Sequence, residues 1–212
     1  MTAGFSRETS ANGKTENALG SIFYSAALGT GGKIILKVVE PVNQLMIFEG
    51  KNLLIYYPES KRAFLIESAN PFILPFFQFF IDNTREDFGL SSRGFVFSRY
   101  EKKDALLFSY WTPSEAYKPF VSEVVLVHSD NALFMVQTKD VKGDLSSEFI
   151  YKQHVSLLNV NFPQEITIKT YENNSVSIEK VNLRNITLNG PLPEELINFR
   201  IPDDANIKKV RW

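Results

Sequence analysis

The side chains able to do covalent chemistry in this chain are few. Two histidines, His128 and His154, stand among 212 residues that include no cysteine. An imidazole becomes a general base only when a serine, cysteine or carboxylate is held against it, and neither histidine has such a residue at a recognised spacing. Triads assemble from distant residues, so spacing alone leaves that possibility open; both positions read as ordinary strand histidines. Paired carboxylates occur at Glu86-Asp87, Glu194-Glu195 and Asp203-Asp204. Glycosidases use such pairs as acid and base, but these lie in polar loop or tail sequence and read as caps and turn residues. Gly29-Thr30-Gly31-Gly32-Lys33 has the glycine density of a phosphate loop. A P-loop needs four residues between its glycines and Ser or Thr after the lysine; here Ile34 follows, so the segment reads as a connection between strands. Without cysteine there is no disulfide, thiolate chemistry or Cys-based zinc site. The expectation is no catalytic residue, no metal and no cofactor.

Apolar surface is plentiful instead. The chain holds 18 phenylalanines, concentrated in alternating runs such as Phe64-Leu65-Ile66 and Phe95-Val96-Phe97, and in the burst from Pro71 to Phe80. Net charge is −1, from 23 basic and 24 acidic residues, with no basic stripe interleaved with aromatics, so a nucleic-acid partner is not expected. Met1 to Gly20 is polar and lacks the basic start and apolar core of a secretion signal, and no uninterrupted apolar run reaches the roughly 18 residues of a membrane span. A leader, if the protein works outside the cytoplasm, is expected to be missing from this chain.

The elements that must position these residues follow a period of two, which predicts strands. Predicted strands cover Gly20 to Tyr24, Lys33 to Val39, Gln44 to Phe48, Leu53 to Tyr57 and Arg62 to Glu67, joined by turns at Pro41, Gly50-Lys51 and Pro58-Glu59-Ser60 in an antiparallel meander. If Glu49 pairs with Asn52, then Phe48 faces Leu53 and Met46 faces Ile55, and the next turn sets Phe64 opposite Ile55 and Ile66 opposite Leu53. One face then carries Met46, Phe48, Leu53, Ile55, Phe64 and Ile66; the other carries Leu45, Ile47, Leu54, Tyr56 and Leu65. Both faces are apolar, so either both are covered or one lines a cavity.

Asn70 is suited to cap a helix starting at Pro71. Phe72, Phe76 and Phe80 recur at helical spacing, with Pro75 predicting a kink or two short pieces. Between Phe72 and Ile81 only Gln78 is polar. That is more apolar than packing on one sheet requires, and it suits a buried helix, a lid or a docking patch. After a polar loop at Thr84 to Ser92, strands are predicted over Gly94 to Tyr100, Ala105 to Trp111, Glu123 to His128, Leu133 to Thr138, Ser147 to Leu158, Glu165 to Tyr171 and Val176 to Leu188. Pro191 to Phe199 predicts a short helical turn, and Ile201 to Trp212 is mixed. No repeat or linker divides the chain, so residues 1–212 are expected to form a single domain. The predicted class is mainly β with a few helices (α+β), built on a large, curved antiparallel sheet with one helical insertion.

The order of these segments carries a resemblance. Gly20-Ser21-Ile22-Phe23-Tyr24, then Pro41, then Phe48 to Pro58 resembles the opening half of the bacterial outer-membrane lipoprotein carrier family, LolA, and its wider LolA-like superfamily. Phe162-Pro163-Gln164-Glu165-Ile166, Val181 to Asn189 and Phe199-Arg200-Ile201-Pro202 resemble its closing strands, so the likeness spans about Gly20 to Pro202. It implies an incomplete, half-open β-barrel with a helical lid, and a hydrophobic cavity between sheet and helices. It also implies a periplasmic, non-enzymatic carrier of acylated lipoproteins or lipids, expected to be a monomer, that works between an inner-membrane ABC exporter and an outer-membrane acceptor. On that basis Ile34, Leu36, Met46, Phe48, Leu53, Ile55, Phe64 and Ile66 are the expected lipid-binding cavity, and Phe72, Phe76, Phe77 and Phe80 the expected lid.

Two departures are visible. The carriers begin with a helix belonging to the lid, whereas this chain starts almost at the first predicted strand, which reads as a truncated or altered start over residues 1–19. The carriers also follow their first strand with an Arg-Pro pair that latches the lid; Ser25-Ala26 stands there, and the latch does not carry over. A carrier of another lipid, or a periplasmic lipid-sensing or interaction module on the same fold, is the alternative reading.

Overall fold

Alternation at period two produces strands throughout the computed structural model, which describes residues 1–25, 32–50, 52–67, 87–130, 132–172 and 175–211. The strands are β1 (Thr2–Ala11), β2 (Lys14–Ser25), β3 (Lys33–Glu40), β4 (Gln44–Glu49), β5 (Asn52–Tyr57), β6 (Arg62–Glu67), β7 (Val96–Lys103) and β8 (Leu106–Thr112). They continue with β9 (Glu123–Ser129), β10 (Ala132–Lys139), β11 (Leu145–Leu157), β12 (Val160–Glu172), β13 (Ser175–Thr187) and β14 (Asn206–Arg211). Helix among the described residues is limited to a single 3₁₀ turn at Ser91–Arg93 and the four-residue α1 (Glu194–Ile197). All 14 strands join one sheet in the order β14-β6-β5-β4-β3-β2-β1-β13-β12-β11-β10-β9-β8-β7, and the end strands β14 and β7 do not pair, so the sheet is open.

Two strands escaped the sequence reading. No strand is predicted before Gly20, where residues 1–19 read as a truncated or altered start, yet β1 and β2 form a hairpin over Asn12 (φ 51) and Gly13 (φ 74), the pair of left-handed residues a two-residue turn requires. The tail from Ile201 contains β14, which lies parallel to β6 in the register Asn206↔Arg62 to Arg211↔Glu67. Its lysines at Lys208 and Lys209 fit an edge position, where charge discourages further pairing. The expected short helical turn between Pro191 and Phe199 is α1.

The described chain divides into two compact units. The first comprises Met1–Arg7, Asn17–Pro71 and Leu183–Trp212. Its buried cluster of Ile35, Leu45, Ile47, Tyr56, Ala63 and Leu196 gathers Phe23, Leu54, Phe199, Ile201 and Ala205 around it. The second comprises Glu8–Glu16 and Phe72–Asn182. Here β9 is buried on both faces at Val124, Val125, Leu126 and Val127, and Val136, Ile166 and Val181 are also fully buried. On the face opposite Leu126 and Val136, Glu148 accepts hydrogen bonds from Gln137 Nε2 at 2.9 Å and Lys169 Nζ at 2.8 Å. Burial alone would raise the Glu148 pKa, but those two bonds and the Lys169 charge hold it below the usual 4.5.

A carboxyl lowered in the folded state stabilises above its unfolded pKa, and that contribution is lost as pH falls through the folded value. The wild-type protein should therefore lose stability on acidification from pH 7 to below about 4. Lys169→Met should lower stability at pH 7 by about 1–3 kcal/mol, since Glu148 stays buried with one donor gone. It should also shrink the acid-induced loss. Urea midpoints at both pH values test this, and an unchanged pH dependence would refute it.

Candidate functional site

The register that the turns predict is the register formed. Glu49 pairs with Asn52, Phe48 with Leu53 and Met46 with Ile55; Leu53 then pairs with Ile66 and Ile55 with Phe64. Strand β3 adds Ile34 opposite Phe48 and Leu36 opposite Met46. Directly paired residues share a face, so the eight predicted positions form two rows across four strands: Ile34–Phe48–Leu53–Ile66 and Leu36–Met46–Ile55–Phe64. Ile34 and Leu36 are buried at 3% and 5% exposure, whereas the other six are half-buried.

The rows run further than the sequence reading took them. Tyr24 pairs with Ile34 and Ile22 with Leu36, which extends both rows onto β2. Ile22 is fully buried. At the other end β14 sets Val210 beside Ile66 and Lys208 beside Phe64, so one row ends in an exposed ammonium at the sheet edge. Alternation within Gly20 to Tyr24 hinted at the first extension, but a long connection separates β2 from β3 and hides their register. Nothing in the polar tail hinted at the second.

The opposite face of the same strands is closed by the chain itself. Ile35, Ile47 and Leu54 form one row there and Leu45, Tyr56 and Ala63 another, and onto them pack Leu196, Phe199, Ile201 and Ala205. Tyr56 and Phe199 meet with ring centroids 5.5 Å apart. Lys33 Nζ donates to the Ile197 carbonyl at 2.6 Å, and the Asn206 amide donates to the Lys61 carbonyl at 2.8 Å, fastening this segment at both ends. The Phe199-Arg200-Ile201-Pro202 stretch is thus core packing for the rear face. The face bearing Ile34 to Ile66 is left as the candidate site.

The expected lid residues Phe72, Phe76, Phe77 and Phe80, the predicted helix that holds them, and Glu86 lie outside the described residues. Of the glycine-rich connection, Gly32 is described; its φ of +84° and close approach to the Tyr24 ring make it a backbone position that favours glycine.

The candidate catalytic groups have structural environments. Burial lowers the His128 pKa, and its ring lies 5.3 Å from Phe88. Burial likewise lowers the His154 pKa, although its Nε2–H donates to the Leu133 carbonyl at 3.0 Å. Asp87 accepts the amides of Gly89 and Ser91, and these bonds outweigh burial to lower its pKa. Glu194 and Glu195 occupy the first turn of α1, and Asp204 pairs with Lys61 across exposed surface. Among the described residues no three His, Asp or Glu side chains gather as metal ligands, and no helix is long and apolar enough to cross a membrane.

No protein-family model matches this sequence, and no curated protein matches it. Solved structures do. A putative outer membrane lipoprotein-sorting protein domain from Vibrio parahaemolyticus superposes with a TM-score of 0.70 at 15% identity, covering 93% of this chain and 88% of that one. A LolA superfamily protein from Nitrosomonas europaea gives 0.57 at 14% identity, over 88% and 86% of the two chains. The fold is LolA-like. A DUF1329 family protein from Desulfovibrio piger has the same likeness, with a TM-score of 0.69 at 11% identity over 93% and 89%. Within the LolA-like sheet, the Phe48 to Pro58 motif is the β4–β5 hairpin, and Phe162 to Ile166 belongs to β12.

Proposed function

We propose that this protein is a periplasmic carrier that binds the acyl chains of lipoproteins, or of a related lipid, on the apolar face of β3–β6 and delivers them to the outer membrane. The two-row face carries this reading: eight apolar side chains in register lie on the side of the strands that the C-terminal segment does not fill. A bare acyl chain in water costs about 0.8 kcal/mol per methylene, so a chain of roughly sixteen carbons is worth on the order of 12 kcal/mol. Adhesion to an ordinary surface does not hide that much area; a lined cavity does. In this reading Phe72, Phe76, Phe77 and Phe80 supply the lid. Cargo comes from an inner-membrane exporter and passes to an outer-membrane acceptor of higher affinity. No covalent step is required of the protein.

Native mass spectrometry after incubation with a triacylated lipoprotein, and separately with phospholipid, tests the assignment. About one acylated molecule per chain is expected, with Phe76→Glu and Phe77→Glu each abolishing uptake while the far-ultraviolet circular dichroism of the sheet is retained. Normal uptake by both variants removes the lid from the proposal. A wild-type protein that takes up neither cargo removes the carrier function.

A further inference from the structure

Two cations stand on the candidate face at its β14 end. Paired residues share a face and alternate residues of a strand return to it. Lys208, beside Phe64, and Arg62, two residues before Phe64, therefore lie on the same side as Ile55 and Met46. Arg62 pairs with Asn206, which sets it diagonally across the β6–β14 ladder from Lys208. Both side chains are exposed, and among the described residues neither makes an ion pair or a hydrogen bond. On the opposite face of the same ladder Arg211 meets Glu67 at 3.7 Å. Charge at a sheet edge discourages pairing with another strand, which accounts for a lysine on β14. It does not account for Arg62, which lies on β6, one strand in from that edge.

The face is graded toward these cations. Leu36 and Val38 on β3 are 5% and 2% exposed, whereas Met46, Ile55 and Phe64 are half-buried and Lys208 is exposed. The row Leu36–Met46–Ile55–Phe64–Lys208 thus passes from dry and apolar to wet and cationic. Four strand spacings of about 4.8 Å make it roughly 19 Å long. One leaflet of a bilayer's hydrocarbon core is about 15 Å deep, so an acyl chain of membrane length covers the apolar part and ends near the cations. Among the described residues paired on this face in β3–β6 and β14 none is acidic, so a negative group arriving there meets no local repulsion. An arginine fork and a lysine ammonium in diagonal positions can share the oxygens of one anion.

We propose that Arg62 and Lys208 hold the anionic head, a phosphate or carboxylate, of a lipid whose acyl chain lies along the rows toward β3. This rests on the carrier reading of the β3–β6 face and narrows its cargo to acidic amphiphiles.

The test is calorimetric titration of the full chain at neutral pH with tetradecyl phosphate, myristic acid and tetradecanol, each delivered as a cyclodextrin complex, and with inorganic phosphate alone. The wild type should bind the two anionic chains more tightly than tetradecanol, and inorganic phosphate far more weakly. Arg62→Gln combined with Lys208→Gln should weaken the anionic chains by about tenfold and leave tetradecanol within about twofold. The thermal midpoint should stay at the wild-type value, because both side chains are exposed. Arg62→Glu combined with Lys208→Glu should reverse the preference, so that tetradecyltrimethylammonium binds more tightly than it does to the wild type. Lost packing does not produce that reversal. A loss confined to tetradecyl phosphate identifies a phosphate head, and one confined to myristic acid a carboxylate. Equal losses for charged and neutral chains would mean a packing role and would overturn the assignment. Inorganic phosphate bound as tightly as tetradecyl phosphate would overturn it too, as an anion site independent of lipid. If the wild type binds the chains without preference for charge, or the variants keep its preference, the carrier reading stands and the head-group assignment falls. If the wild type binds no chain-bearing probe, both fall.

Discussion

Ile55→Glu should abolish acyl-chain binding with little loss of stability, whereas Ile47→Ala should do the reverse. The two positions lie on neighbouring strands but on opposite faces, because side-chain direction alternates along each strand. Ile55 is half-buried between Met46 and Phe64 in the candidate row. A carboxylate there keeps access to water in the empty protein but loses it when methylenes settle over the row. Desolvating an unpaired charge costs several kcal/mol, and each 1.4 kcal/mol is a factor of ten, so binding should weaken by at least about a hundredfold. Ile47 is 6% exposed within the cluster that packs on Leu196. Truncating a buried isoleucine to alanine costs about 2–5 kcal/mol. Its folded fraction should nonetheless bind as the wild type does, because the site face is untouched. Urea denaturation and calorimetric titration with an acyl probe measure both effects. Wild-type affinity in Ile55→Glu would remove the β3–β6 face as the binding surface.

That contrast is available because this part of the molecule could be read from its residues. Glycine at position 50 marks a tight turn, strong apolar alternation flanks it, and a slip of one residue would exchange the two faces of β4, β5 and β6. The pairs Phe48↔Leu53, Met46↔Ile55 and Ile55↔Phe64 are therefore legible in the amino-acid sequence alone. Strand β1 was not, because Thr2–Ala11 is polar along most of its length and only Ala3 and Phe5 are buried. The Asn12-Gly13 pair was a sound hairpin signal with no apolar pattern beside it to give it weight. Strand β14 was missed for a related reason: Asn-Ile-Lys-Lys-Val-Arg reads as solvated sequence, and its parallel register on β6 depends on where the chain returns. Within the candidate site the rows could be read, but their extension to Ile22 and Tyr24 could not, since the connection to β3 sets no register by itself.

Gly20→Ala should be the most damaging single-methyl addition in the first unit, for a reason of space rather than torsion. Gly20 is not in the left-handed region, yet a Cβ built on it falls 2.2 Å from the Lys37 carbonyl oxygen and 2.8 Å from Phe5 Cε1. Heavy atoms in contact sit about 3.5–4.0 Å apart, so the overlap is large. The phenylalanine ring can shift a little, although it is 7% exposed and confined. The oxygen is backbone in β3, where Lys37 pairs with Ser21 on one side and Leu45 on the other, and it moves only if the strands move. The ladder is already irregular here, with the β2–β3 register shifting between Leu19 and Gly20. We expect Gly20→Ala to cost about 3 kcal/mol, at the upper end for overpacking. Gly13→Ala is the control: its φ is +74° with nothing within 4 Å, so only the left-handed penalty of about 1–2 kcal/mol applies. Adding Phe5→Leu to Gly20→Ala should recover part of the loss, because the backbone oxygen remains in the way. Urea denaturation of the three variants orders these costs, and a Gly20→Ala no worse than Gly13→Ala would refute the close approach. The consequence reaches the site. Gly20 lies two residues before Ile22, the buried end of the row through Leu36, Met46, Ile55 and Phe64. A β2 displaced from β3 loosens that end, so acyl-chain affinity should fall together with stability in Gly20→Ala and stay unchanged in Gly13→Ala.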